Sequence, residues 1–217
     1  VWAVGDNGTV LHFDPKSKIW TGNIKVTAAG SATEIQDQLN DVWGASPTKV
    51  YIVGHFGTIL TGSKNGLAKM AIDPGTTKDL IGVWGRRSSE IYAVGTGGTV
   101  LQLRGGSTWK GIKGAPKQVL RAIWGPSNTN AVTYIAGWDG TLLRMSGGPG
   151  FAKGAKFDPF YCIVPNTRLE DVWGTLVPGQ VPEAGLGPDA GPVPDAGLPP
   201  VPSAWVVGAA GTILHGP

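Results

Sequence analysis

The sequence predicts an all-β chain made of about five copies of one four-stranded unit. Three observations carry this. The composition has 35 glycines in 217 residues, only 15% charged residues, and nine tryptophans against five phenylalanines. Many glycines alongside large aromatics suit short strands and tight turns. The motif VGxxGT recurs as VGDNGT (4–9), VGHFGT (53–58), VGTGGT (94–99), AGWDGT (136–141) and VGAAGT (207–212). A second motif precedes four of the five: LNDVWG (39–44), LIGVWG (80–85), LRAIWG (120–125) and LEDVWG (169–174). The leading glycines are 49, 41, 42 and 71 residues apart. The last interval holds an insertion, and a basic period of about 41 is that of a propeller blade.

The strands follow in order within each unit. LxxVWG is strand A, and segments such as VYIVG (50–54) and IYAVG (91–95) are strand B. GTILT (57–61) and GTVLQL (98–103) are strand C. Asn7-Gly8, Gly97-Gly98 and Asp139-Gly140 fit the type I′ turn between B and C, which needs positive φ at both central residues. Phe56-Gly57 and Ala210-Gly211 fit it less well. TWKGIK (108–113), FAKGAK (151–156) and IWTGNI (19–24) supply strand D. Four short antiparallel strands per period make the blade of a β-propeller. The units run about 1–38, 39–79, 80–119 and 120–168, with a fifth starting at 169.

Eight tryptophans have a repeat address: Trp43, Trp84, Trp124 and Trp173 in strand A, Trp2 and Trp205 in strand B, Trp20 and Trp109 in strand D. They are expected to pack between blades. Residues 175–203 interrupt the fifth unit with proline, glycine and alanine, including PDAG at 188–191 and 194–197. Such a segment buries too little apolar area to offset its ordering entropy, so it is expected to be a disordered spacer. Residues 204–217 resume the blade. The chain opens on VWAVGDNGTVLH and closes on AWVVGAAGTILH. The first unit shows no strand A and the last no strand D, which predicts an incomplete ring cut from a longer propeller.

The combined pattern of Val83-Trp84-Gly85, Val94-Gly95, Gly98-Thr99-Val100-Leu101, Gly105-Gly106 and Thr108-Trp109 resembles the BNR/Asp-box group of propellers. It is similar to the repeats of photosystem II assembly factors, and to VWG repeats in secreted or lipid-anchored myxobacterial proteins. The turns RGGSTW and SGGPGF lack the Asp-box aspartate. The resemblance implies a propeller fold and an extracellular or cell-envelope location.

Composition excludes several functions. The net charge of +3 comes without a basic cluster, so a nucleic-acid footprint is not expected. No apolar run reaches 18 residues, so no transmembrane helix is expected. The single cysteine, Cys162, excludes an intrachain disulfide and reads as a small buried hydrophobe. His12, His55 and His215 are dispersed, so neither a metal nor a cofactor is expected. His12 and His215 share a tolerant, outward-facing slot of strand C. There is no GxSxG elbow. Asp41, Glu170 and Asp171 lie on strand A, which lines a propeller's channel, and read as capping or solvating groups.

In an antiparallel blade the B–C turns share a face with the D–A loops (25–38, 70–79, 114–119 and 157–168). The turn tips on that face are the candidate ligand-binding residues: Asp6, Asn7, His55, Phe56, Trp138 and Asp139. Exposed aromatics with polar neighbours suit protein or glycan recognition. The expectation is a non-catalytic binding or scaffolding propeller. The alternatives are a sialidase-like glycoside hydrolase or lyase using Asp41 and Asp171, and a photosystem-assembly-type factor.

Overall fold

The computed structural model describes residues 1–22, 24, 26–27, 35–73, 75–105, 107–126, 132–146, 155–159, 166–177 and 201–216. Cys162 and the middle of the insertion, 178–200, lie outside them, as do residues 151–154 of the expected fourth strand D.

The chain forms successive sheets with antiparallel hairpin pairing. The first is β1 (Trp2–Val4), β2 (Val10–Asp14) and β3 (Ile19–Thr21), in that order. The second joins β4 (Val26–Thr27), β5 (Leu39–Ser46), β6 (Lys49–Gly54), β7 (Ile59–Ser63) and β8 (Gly66–Lys69) in the order β4-β8-β7-β6-β5. The third joins β9 (Ala71–Asp73), β10 (Leu80–Arg87), β11 (Glu90–Gly95), β12 (Val100–Arg104) and β13 (Thr108–Gly111) in the order β10-β11-β12-β13-β9. The fourth is β14 (Leu120–Trp124), β15 (Val132–Gly137), β16 (Leu142–Ser146) and β17 (Lys156–Pro159). The fifth is β18 (Leu169–Val177), β19 (Val201–Gly208) and β20 (Ile213–Gly216).

Four expectations are corrected. Two D–A segments are not plain loops: β4 pairs parallel with β8, and β9 pairs parallel with β13. Each covers the outer edge of the following sheet, which would otherwise expose unpaired main-chain groups. The fourth strand D lies at Lys156–Pro159, because Phe157 opposite Met145 supplies the apolar group that packs on that sheet's core. The hairpin β18–β19 extends three residues into each end of the segment read as insertion, pairing Thr175 with Ser203 and Val177 with Val201. The shared slot of His12 and His215 faces outward only in part: His215 is exposed, but His12 is half-buried, its ring packed edge-on against Trp2 at 4.8 Å.

The core lies between sheets. Alternate side chains of each strand face the sheet before and the sheet after. Ile91, Ala93, Leu101, Leu103 and Trp109 of the third sheet pack with Tyr51, Val53 and Ile59 of the second. The opposite face of the third sheet, with Tyr92, Val94 and Val100, packs with Ile123, Ile135, Leu143 and Met145 of the fourth. Trp109 is fully buried as expected, but Trp20, Trp173 and Trp205 are exposed. The last three point outward from the first and fifth sheets, where no described sheet packs against them.

Two glycines of VGxxGT are fixed by close approach. A Cβ on Gly95 would stand 2.0 Å from the carbonyl oxygen of Asp79, just before the same sheet's strand A. Gly98 has φ +69, and a Cβ there would stand 2.0 Å from the Pro116 carbonyl oxygen of the loop entering the next sheet. Its N–H also donates to Gln118 O at 2.8 Å. Gly8 and Gly57 make the same contact with Ile35 and Thr76. The B–C turns of the first four sheets therefore rest on the incoming loop of the next blade, the fourth through Gly140 N–H donating to Thr167 O at 2.6 Å. Phe56 also adopts the left-handed conformation (φ 54, ψ 32), so the type I′ geometry holds despite a residue that disfavours it.

Candidate functional site

The four A strands β5, β10, β14 and β18 each carry a register shift at the same place. It falls between Leu39 and Asp41, Leu80 and Gly82, Leu120 and Ala122, and Leu169 and Asp171. A bulge re-aims side chains. Here it concerns the two variable positions of LxxVWG, which read Asn40-Asp41, Ile81-Gly82, Arg121-Ala122 and Glu170-Asp171.

All of these but Gly82 gather around one cavity of about 530 Å³, completed by Gln38, His55, Asp79 and Ile123. Gln38 and Asp79 end the D–A loops and His55 begins a B–C turn, so the cavity opens on the turn face.

Much of the polar lining is held by contacts between neighbouring sheets. Asn40 Nδ2 donates to Leu80 O at 2.7 Å. Asp41 accepts from Val42 N at 2.8 Å and, across the sheet boundary, from Val83 N at 2.8 Å. Asp171 accepts from Val172 N at 2.8 Å. Arg121 forms an ion pair with Glu170 of the next sheet. Burial pushes the Asp41 carboxyl up to about 6; the two N–H donors oppose that rise and the charge of Asp171 adds to it.

The six expected contact residues do not all meet in the cavity. Of them, His55 alone lines it. Phe56 stands beside it on the turn tip, 65% exposed, its N–H donating to Asp79 Oδ1 at 3.0 Å. Asp6, Asn7 and Asp139 are exposed turn residues, Asn7 and Asp139 with positive φ. Trp138 is half-buried, with the Arg168 guanidinium 4.5 Å from its ring centroid. Its indole Nε1 is buried with no hydrogen-bond partner among the described residues. Sequence reading passed over Gln38, Asn40, Asp79 and Arg121. The usable signal was variation at one position inside an otherwise constant motif: Asn, Ile, Arg and Glu follow the leading Leu.

The sheet-by-sheet architecture is that of a β-propeller. No family model matches the sequence, and no curated protein matches it. Solved structures match its fold over 99% of this chain. YCF48 bound to a D1 peptide is 14% identical, with a TM-score of 0.59 over 59% of that chain. YCF48 from Cyanidioschyzon merolae is 13% identical, with a TM-score of 0.63 over 65% of that chain. An auxiliary nutrient-binding protein from Bacteroides thetaiotaomicron is 10% identical, with a TM-score of 0.55 over 53% of that chain. The present chain thus spans between about half and two thirds of the length of these proteins. Among the described residues, no helix is long and apolar enough to cross a membrane.

Proposed function

We propose that the chain is a binding or scaffolding propeller of the cell envelope or extracellular space, part of a ring with further blades. Its partner is a protein segment that enters the channel mouth from the turn face. One observation carries the reading. The motif positions that build the frame are nearly constant, while the positions facing the cavity differ from blade to blade. The lining holds four carboxylates, Asp41, Asp79, Glu170 and Asp171, against one guanidinium, Arg121. Such a mouth favours a segment carrying lysine or arginine. The turn-tip residues Phe56, Trp138, Asp139, Asp6 and Asn7 flank it and would contact the rest of the partner. That a propeller of this fold is solved with a peptide bound supports peptide recognition; a photosystem-assembly-type role would share this feature.

The glycoside-hydrolase reading needs two carboxylates free to act on opposite sides of a sugar ring. Asp41 is instead engaged by two main-chain N–H groups. A glycan partner remains the second reading, favoured by the Trp138 ring beside exposed Asp139.

The test is fluorescence anisotropy with a library of short labelled peptides. Peptides rich in lysine or arginine should bind best, and Glu170→Gln should weaken them. Trp138→Ala should reduce affinity while changing stability by no more than about 1 kcal/mol. Preference for acidic peptides would overturn the reading, and a large stability loss would show that Trp138 serves the core.

A further inference from the structure

The strand order fixes which connections share a face. Strands A and C end, and B and D begin, on the side away from the B–C turns, so the A–B and C–D turns emerge opposite the channel mouth. In the third sheet the two kinds of turn touch, Gly105 N donating to Ser89 O at 3.1 Å.

This opposite face collects basic residues. Lys16 and Lys18 lie on the β2–β3 turn, Lys49 closes the β5–β6 turn, and Lys64 lies on the β7–β8 turn. Arg104 enters the β12–β13 turn, and Lys156 opens β17. All six are exposed, and none of them forms an ion pair among the described residues. Two carboxylates share the face, and both are already engaged. Glu90 sits between Arg86 at 3.7 Å and Arg87 at 3.6 Å. The Lys16 N–H donates to Asp14 Oδ1 at 2.9 Å and holds that carboxyl below its ordinary pKa, an effect to which the Lys64 charge of the next sheet adds. The turns of neighbouring sheets are thus close enough to share one field. Around the channel mouth the sign is reversed, with four carboxylates against one guanidinium. These turns are far apart in the sequence, which therefore shows no basic run; the fold brings them to one side.

We propose that the A–B/C–D face is a docking surface for an anionic phospholipid membrane, and that docking directs the channel mouth away from the lipid. Three observations favour a lipid surface over other polyanions. The charges stand on the tips of separate turns across four sheets, so an extended flat partner meets them together. Five of the six are lysines, compact hydrated charges without the planar fork that recognises a single phosphate group. The turns carry no aromatic residue on which a base could stack. A negative surface potential attracts such lysines without a pocket, and it repels the acidic mouth. The face is separate from the channel-mouth cavity, whose lining includes none of these residues.

The probe is a vesicle of equal parts phosphatidylcholine and phosphatidylglycerol, with pure phosphatidylcholine vesicles as the reference. Partition of the full chain is measured by co-sedimentation, and Tm is read alongside. The chain should bind the anionic vesicles alone, and about 1 M salt should release it, since the Debye length then falls to about 3 Å. Lys16→Gln combined with Lys64→Gln should lower partition about 25-fold, at about fivefold per charge. Lys113→Gln combined with Lys117→Gln makes the same change in net charge at exposed positions of a D–A loop on the other face. That pair should leave partition within about twofold, and neither pair should move Tm. Failure to bind the anionic vesicles overturns the proposal, as does equal binding to both kinds of vesicle. An equal loss in the two pairs would also overturn it, because net charge and not this face would then govern binding. Binding to heparin tighter than to the vesicles, and weakened by the Lys16 and Lys64 pair, would assign the face to an acidic polysaccharide instead.

Discussion

Asp41 makes the boundary between the second and third sheets pH-sensitive in a direction opposite to most native carboxylates. Burial raises its pKa from 3.8 to about 6, against the pull of two N–H donors. The folded chain therefore holds this proton more tightly than the unfolded chain does. The group's contribution to stability is fully present below about pH 3.8 and is lost as pH rises through about 6. Carrying a pKa over that interval corresponds to about 3 kcal/mol. Asp41→Asn is uncharged at every pH and removes this limb. It also leaves one main-chain N–H less well paired, a pH-independent cost of about 1 kcal/mol. Urea unfolding followed by tryptophan fluorescence should show the stability difference between the two proteins moving by about 3 kcal/mol from about pH 3.5 to about pH 7, in favour of the variant. A difference that stays flat, or moves toward the wild type, would refute the claim that desolvation dominates at this carboxyl.

Two paired comparisons test the frame. Gly98→Ala places a Cβ against the Pro116 carbonyl in a left-handed residue and should cost about 2–5 kcal/mol. Gly105→Ala, also left-handed at φ +58 but with open space around its Cβ, should cost only about 1–2 kcal/mol by the same assay. Trp109→Ala removes a fully buried ring whose Nε1 lies 3.4 Å from Met70 Sδ and should lower stability by about 3–5 kcal/mol. The repeat-equivalent Trp20→Ala, at 49% exposure, should cost less than about 1 kcal/mol in chemical unfolding.

The all-β repeat was legible because close main-chain approach forbids substitution. Gly95 and Gly98 cannot carry a side chain where they stand, so VGxxGT recurs at every unit and marks the B–C turn. The inward alternation of strands was equally plain from the apolar residues. What the repeat could not show was the fate of segments outside it. Val26–Thr27 and Ala71–Asp73 have no common sequence, since a parallel edge strand is held by main-chain groups more than by its side chains. Repeat address also overstated burial. Trp20 and Trp109 share a position, but only Trp109 meets the face of a neighbouring sheet. The cavity was half legible. His55 came from reading turn tips as exposed, whereas Asn40 and Arg121 point into the mouth through a bulge that a strict two-residue period does not anticipate.

The parallel strand β9 has a consequence for how the chain would respond to being cut. The backbone leaves the second sheet at Lys69, lays Ala71–Asp73 along the outer edge of the third, and then crosses to Leu80 at the inner edge. The second and third blades are thus joined twice, by the peptide link and by a clasp at the rim. A protease that nicks the exposed crossing after Gly75 breaks the first joint and leaves the second. The two pieces should stay together in native buffer and part only in denaturant, so an intact profile on a sizing column would not by itself show an intact chain.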